Sequence, residues 1–286
     1  MTSGRLAGKV ALVVGGGSGM GRAGSVLMAA EGAAVVVSDI ALDRAQSVAA
    51  SIEDAAGTAV AMPVDVTSPE QVERLVADTV SRFGRLDVLY HCAADVHFVN
   101  TKDNRITELD DDVWRRVIDV HLTGTFLVLK HVGRQMIAQR SGSIIVSSTV
   151  DALVGCAGLD SYTAAKGGVT SMVRSFAAGI GRDGVRVNAI APSFVSTEPQ
   201  RVWLDDADAS ATIARLHILP VPTPEQIAPF VVYLASDESA AVTGTVFPVD
   251  AGYMAFKAQV DVMATFFWPK SWRPWVKLIE ATSELR

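Results

Sequence analysis

The chain has 286 residues, 49% hydrophobic and 20% charged, with a formal net charge of −6. That composition excludes a disordered chain, and with no basic block it argues against a nucleic-acid partner. Two cysteines, Cys92 and Cys156, exclude a disulfide framework and a structural metal site, so no metal is expected and a reducing cytoplasm is the natural compartment. Met1–Lys9 lacks the apolar stretch of a secretory leader, and no uncharged apolar run reaches the ~20 residues that cross a bilayer.

Taken in chain order, short apolar runs alternate with amphipathic stretches. The runs are Val10–Val14, Ala34–Ser38, Ala59–Val64, Val88–Cys92, Ile144–Val146, Val185–Ala191 and Val246–Val249. Apolar on both faces, they are predicted as buried parallel strands. The predicted helices are Gly21–Glu31, Asp43–Ala55, Pro69–Phe83, Asp112–Gln139, Tyr162–Ile180 and Pro224–Leu234. Pro69 and Pro224 each follow a Ser or Thr cap, which marks a helix start. The alternation predicts an α/β fold: a doubly wound, Rossmann-type parallel sheet with helices on both faces, in a single domain over 1–255. Residues 197–220 fall outside the alternation and read as a charged, helical substrate lid. The tail, 256–286, is rich in aromatics (Phe266, Phe267, Trp268, Trp272, Trp275) and interrupted by Pro269 and Pro274. It has three candidate roles: a cap over the pocket, a crossing to a neighbouring subunit, or a membrane-surface contact.

The first strand runs directly into Gly15-Gly16-Gly17-Ser18-Gly19-Met20-Gly21. Glycines permit positive φ and a close backbone approach to a pyrophosphate, and a following helix offers free N–H groups. The register Gly15-x-x-x-Gly19-x-Gly21 is preferred over Gly19, Gly21 and Gly24, because the first glycine should follow the strand at once. Asp39 ends the second strand, 24 residues after Gly15. A carboxylate there accepts from ribose hydroxyls and repels a 2′-phosphate. Ile40 and Ser18 supply no compensating charge, so NAD is favoured over NADP; a plain surface aspartate is the alternative. Tyr162 and Lys166 stand four apart, on one face of a predicted helix. A nearby ammonium lowers a phenol's pKa and suits it to general acid–base work. Alone, that spacing arises often by chance.

With these residues in view, the sequence resembles the short-chain dehydrogenase/reductases, the shorter single-domain subtype, over about residues 5 to 253. Val14-Gly15-Gly16-Gly17-Ser18-Gly19-Met20-Gly21 resembles the family's T-G-x-x-x-G-x-G. Asp65-Val66 resembles its adenine contact. Tyr162 and Lys166 stand at its catalytic pair, and Lys166 by resemblance also bonds the nicotinamide ribose. Asn188-Ala189-Ile190-Ala191-Pro192-Ser193 resembles its N-x-x-x-P-G, Val195 and Thr197 its carboxamide contacts, and Val249-Asp250-Ala251-Gly252 its V-D-G-G.

Three departures stand out. The N-N-A-G segment reads His91-Cys92-Ala93-Ala94, which keeps small residues at the cofactor edge and loses both asparagines. His121 occupies the position of the family's catalytic asparagine, which helps hold a water relaying protons to the lysine. A histidine can bond that water or carry the proton itself; a buried histidine satisfied by backbone is the equal alternative. The catalytic hydroxyl falls at Thr149 when counted from Gly142-Ser143-Ile144-Ile145 or thirteen residues back from Tyr162. Ser148 is the fallback if the loop carries an extra residue.

The resemblance therefore implies NAD-dependent interconversion of a secondary alcohol and its ketone, with Tyr162 as acid/base, Lys166 lowering its pKa, Thr149 polarising the carbonyl and His121 supporting the relay. The pocket walls are expected at Asp95–Phe98, Asp151–Leu159 and 197–220, mostly apolar, with Asp95 and Asp151 as candidate contacts for a substrate hydroxyl, a solvated loop carboxylate being the commoner explanation for each. The family also implies a homotetramer. Two other readings remain at this point: a non-catalytic NAD(H)-binding protein, and a scaffold with a vestigial nucleotide loop.

Overall fold

Alternate residues along the first strand divide between two cores. Leu12 and Val14 enter one, Ala11 and Val13 the other, as the period of two requires of a strand covered on both faces. This computed structural model describes residues 4–255; the aromatic tail lies outside them. The strands are β1 (Val10–Val14), β2 (Ala34–Asp39), β3 (Thr58–Pro63), β4 (Val88–His91), β5 (Gly142–Ser147), β6 (Val185–Pro192) and β7 (Val246–Val249). All pair in parallel, in the order β3-β2-β1-β4-β5-β6-β7.

The helices are α1 (Gly19–Ala30), α2 (Leu42–Asp54), α3 (Pro69–Phe83), α4 (Val96–Lys102), α5 (Asp111–Ile118), α6 (Gly124–Gln139), α7 (Asp160–Ile180), α8 (Arg201–Leu204), α9 (Ala207–Arg215) and α10 (Pro224–Ala235). Residues of α3, α6 and α7 pack one face of the sheet (Leu75, Val132, Val173), and residues of α1, α2 and α10 the other (Met28, Val48, Val231). The strand order reverses between β1 and β4, where a doubly wound sheet opens a crevice beyond the strands' C-terminal ends. No helix among the described residues is long and apolar enough to cross a membrane.

Three expectations need correction. The predicted helix Asp112–Gln139 is interrupted by a π-helical turn at Asp119–Thr123. One extra residue in a turn leaves the apolar pattern on either side intact, so periodicity does not reveal it. The carbonyl of His121 is taken up by the Thr125 hydroxyl at 2.7 Å. Asp95–Phe98, read as loop, enters the short helix α4, whose N-terminus Asp95 caps by accepting from Phe98 N at 3.2 Å. Within 197–220, the helical reading resolves into a 3₁₀ turn at Glu198–Gln200 and two short helices, α8 and α9. The segment is tied back where Ile218 N and Leu219 N donate to Ala251 O.

Candidate active site

The glycine loop owes its shape to close approaches. Gly15 has φ +82°, and a Cβ on it would lie 2.6 Å from Ala93 N, so β1 and β4 can end side by side only with glycine there. A Cβ on Gly21 would strike the Gly15 carbonyl, and one on Gly24 would lie 2.9 Å from the Tyr90 ring. A Cβ on Gly17 would meet the Asp39 carboxylate at 2.8 Å. Gly17 and Gly21 thus shape the loop without standing in the groove wall. Ser18 caps α1 with no side-chain hydrogen bond, and no acidic residue occupies the first turn. The helix dipole and its free N–H groups are left for an anion.

A groove of about 470 Å³ runs from this loop along the C-terminal strand ends. Gly15, Ser18, Gly19, Met20, Asp39, Ile40, Asp65, Val66, Cys92, Ala93, Ala94, Ser148, Tyr162, Lys166 and Thr197 line it. The Asp39 carboxylate accepts from Gly17 N at 2.9 Å and from Ala41 N at 3.0 Å. Asp65 is held by Thr67, whose hydroxyl donates to it at 2.7 Å. The groove fits a dinucleotide on the structure's own terms: an uncapped helix end at the loop, a fixed carboxylate at the end of β2, and glycines that backbone crowding requires. Arg44 also lines it, beside Asp39. Sequence reasoning missed Arg44 because it weighed only the neighbours of Asp39 and the loop, whereas the first turn of α2 places Arg44 at the same groove.

A second cavity, of about 880 Å³, opens beside the groove and shares Met20, Val96, Ser148, Tyr162 and Thr197 with it. Pro192 and Val195, expected against the cofactor, line this cavity and not the groove. Gln200, Trp203, Ile213, Leu216 and His217 close it from the 197–220 segment.

Where the two spaces meet, α7 presents Tyr162 and Lys166. Lys166 is buried, and its Nζ donates to Ser147 O at 2.8 Å. Nζ lies 5.8 Å from the Tyr162 ring centre. Burial pulls Lys166 down to about 8. The expectation that Lys166 lowers Tyr162 is not met in the protein alone. Burial, with Asp151 and Cys92 adding like charge, pushes Tyr162 above its ordinary range. Lys166, 5.8 Å from the ring centre, does not offset these effects.

Ser148 and Thr149 point to different places. Ser148 Oγ shares a hydrogen bond with Thr170 Oγ1 at 2.8 Å, and it also donates to Lys166 O at 3.4 Å. Thr149 Oγ1 donates to Asp151 Oδ2 at 3.0 Å and accepts from Asp151 N at 3.2 Å, at the wall of the second cavity.

Behind Lys166 lie two buried histidines. The π turn sets the His121 ring edge-on to Tyr162, with centroids 5.2 Å apart. Neither ring nitrogen of His121 has a hydrogen-bond partner among the described residues. The proton of Thr125 Oγ1 goes to His121 O, so its 3.0 Å contact with His91 Nε2 is donated by the ring. His91 Nδ1 is then an acceptor, and it too lacks a partner among the described residues. Burial, then Lys166, lowers His91 to about 3; burial, Lys166 and His91 hold His121 well below its ordinary value. Both rings are neutral. The reading of His121 as a buried histidine satisfied by backbone finds no such bond among the described residues. Asp95 is engaged elsewhere, accepting from Arg116 at 2.8 Å.

Residues 15–254 match the family described as enoyl-(acyl carrier protein) reductase. The chain is 41% identical to a cis-4-hydroxycyclohexanecarboxylate dehydrogenase of Sinomonas cyclohexanicum, covering 86% of this chain and 97% of that one. It is 39% identical to a 3-alpha-(or 20-beta)-hydroxysteroid dehydrogenase of Mycobacterium bovis, covering 91% and 94%. Among solved structures, a short-chain type dehydrogenase/reductase from Mycobacterium ulcerans superposes with a TM-score of 0.84 at 28% identity, covering 93% and 96%. The likeness extends from the glycine loop to the last described turn, and the chain belongs to the short-chain dehydrogenase/reductase family of NAD(P)-dependent alcohol and ketone oxidoreductases.

Proposed function

We propose that this protein oxidises a hydrophobic, ring-borne secondary alcohol to its ketone, reversibly, with NAD. The observation that carries the reading is the placement of Tyr162 in the wall of both spaces, with Lys166 one helical turn behind it. The backbone of Gly15–Gly21 would hold the pyrophosphate, and Asp39 and Ile40 the adenosine ribose and its surroundings. Asp65 and Val66 would hold adenine, with Cys92, Ala93, Ala94, Lys166 and Thr197 toward the nicotinamide. When bound, oxidised NAD supplies the hydride acceptor and a positive charge that favours the phenolate.

In this scheme Tyr162 takes the hydroxyl proton as the carbon–hydrogen bond releases hydride, and returns it in reduction. Thr149 donates to the reacting oxygen. Lys166 favours the ionised phenol electrostatically once the site is charged. His121 and His91 present neutral nitrogens that hold a water against Lys166, a relay for the proton leaving Tyr162. The apolar wall (Val96, Leu159, Phe194, Trp203, Leu216) and the ring alcohols in the relatives' names support a hydrophobic substrate. The resemblance alone supports a homotetramer in the cytoplasm, and light scattering on the purified protein tests the assembly.

The test is a panel of cyclic alcohols and ketones with NAD(H) and NADP(H). Turnover of a ring alcohol with NAD, and a clear deficit with NADP, supports the reading. Tight NADH binding with no turnover across the panel replaces it with a non-catalytic cofactor-binding protein.

A further inference from the structure

The second cavity carries an imbalance of charge that its apolar wall makes conspicuous. Among the described residues, its lining includes two carboxylates, Asp151 and Asp208, and no lysine or arginine. Asp151 is the one beside the chemistry. Its Oδ2 accepts from Thr149 Oγ1 at 3.0 Å, and Cys156 also bonds its side chain. A carboxylate offers about four acceptor positions, so capacity remains. Burial raises the Asp151 pKa, the mark of a carboxylate short of donors. The fold does not need the charge: the 3₁₀ turn at Val150–Ala152 is capped through Asp151 N donating to Thr149 Oγ1 at 3.2 Å, a bond any residue but proline would make at 151.

We propose that Asp151 is the acceptor for a second substrate hydroxyl, and that the preferred substrate is a vicinal diol or, in reverse, an α-hydroxy ketone. The proposal rests on the oxidoreductase reading above and names its substrate class. Two oxygens on adjacent carbons, staggered gauche, stand at hydrogen-bond separation, as Thr149 Oγ1 and Asp151 Oδ2 do. A substrate with its reacting oxygen at Thr149 brings the neighbouring hydroxyl to Asp151. That hydroxyl donates to the carboxylate in place of Thr149. The threonine proton is then free to turn to the reacting oxygen, where a carbonyl forms. A mono-alcohol leaves the threonine proton shared with Asp151. A substrate with a carboxylate on the adjacent carbon meets like charge with no cation in the wall to relieve it.

Cyclohexanol and the cis and trans isomers of cyclohexane-1,2-diol, with NAD, test this on wild type, Asp151→Ala and Asp151→Asn. In the wild type, kcat/KM for one diol isomer exceeds that for cyclohexanol by about tenfold or more, the range of a hydrogen bond to a charged group. In Asp151→Ala that ratio falls toward one, and Asp151→Asn, which keeps size and an acceptor oxygen, retains part of it. A ratio near one in the wild type, or one that survives Asp151→Ala, overturns the proposal. A loss that strikes diol and mono-alcohol equally also overturns it, since that is what mere positioning of Thr149 predicts. Quenching of enzyme-bound NADH fluorescence by 2-hydroxycyclohexanone and by cyclohexanone separates the two layers. If no alcohol turns over but the hydroxy ketone binds more tightly and Asp151→Ala abolishes the difference, the hydride-transfer reading fails and the subsite stands. If cyclohexanol turns over and the two ketones bind alike, the subsite fails and the hydride-transfer reading stands.

Discussion

Thr149 Oγ1 donates to the Asp151 carboxylate at 3.0 Å, while its neighbour Ser148 turns inward to Thr170 at 2.8 Å. These adjacent residues just past β5 bond in different directions: Ser148 Oγ is tied to α7, while Thr149 Oγ1 stays within its own turn at the cavity wall. Thr149→Ala is therefore expected to lower kcat by about 10²–10³, the range for losing one donor to a developing oxyanion. Ser148→Ala removes a buried hydrogen bond instead and is expected to lower the melting temperature, with less than about a tenfold effect on kcat. Steady-state rates and melting curves of the two variants check this; the reverse order of kcat losses would place the catalytic hydroxyl at 148.

In the proposed reading Asp39 selects the cofactor, and Arg44 lines the same groove. With the carboxylate present, a 2′-phosphate meets a fixed negative charge held by Gly17 N and Ala41 N. Asp39→Ala removes that charge and leaves Arg44 beside the ribose position. The ratio of kcat/KM with NADP to that with NAD is expected to rise at least about tenfold, as a charge change of this kind is worth. An unchanged ratio would mean that Asp39 does not choose the cofactor.

The paired histidines give stability a sign in pH. His91 is lowered from 6.5 to about 3, and His121 is lowered in the same direction. Between those values the unfolded chain binds more protons than the folded one, so stability falls as pH drops from about 6.5 toward about 3. His91→Asn removes one of these groups and keeps a side chain that can bond Thr125. Its melting temperature is expected to decline less steeply over that interval. Parallel pH–melting curves for variant and wild type would contradict the assignment.

Much of this fold is legible in the chain, and the exceptions have physical causes. The strands announce themselves because β1, β2 and β4 send apolar residues into both cores, while β6 is recognisable despite Arg186 and Asn188 on one face. Pro69 and Pro224 mark their helix starts by their own φ. The short helix α4 is hidden because its seven residues are held by contacts from outside it: Arg116 reaches back from α5 to Asp95 and lies 4.6 Å from the Phe98 ring centre. The π turn is hidden because a single inserted residue does not disturb the pattern around it. At the site, the glycines and Asp39 stand out by their place at strand ends, and Tyr162 and Lys166 gain force only beside them. The direction in which Ser148 and Thr149 point, the Thr125 bond to His91 and the approach of Arg44 depend on strand and helix placement, which spacing does not encode.

Asn188, the first residue of the segment leading to Pro192, does structural work. It is fully buried in β6, where its Nδ2 donates to Val242 O at 2.9 Å and its Oδ1 accepts from Thr245 N at 3.2 Å. Both bonds clamp the turn that precedes β7. Asn188→Ala leaves two backbone groups without partners and is expected to cost roughly 1–3 kcal/mol in denaturant unfolding. A loss below about 0.5 kcal/mol would show that water replaces the amide at no cost.

The central claim is that Tyr162 moves the proton in an NAD-dependent oxidation. Initial rates with NAD and a ring alcohol, measured on wild type and Tyr162→Phe, test it most directly, with NADH binding followed alongside to show an intact groove. In Tyr162→Phe, kcat is expected to fall by about 10²–10⁴, the range for a general acid–base group, with NADH still bound. Turnover in Tyr162→Phe at close to the wild-type rate would contradict it.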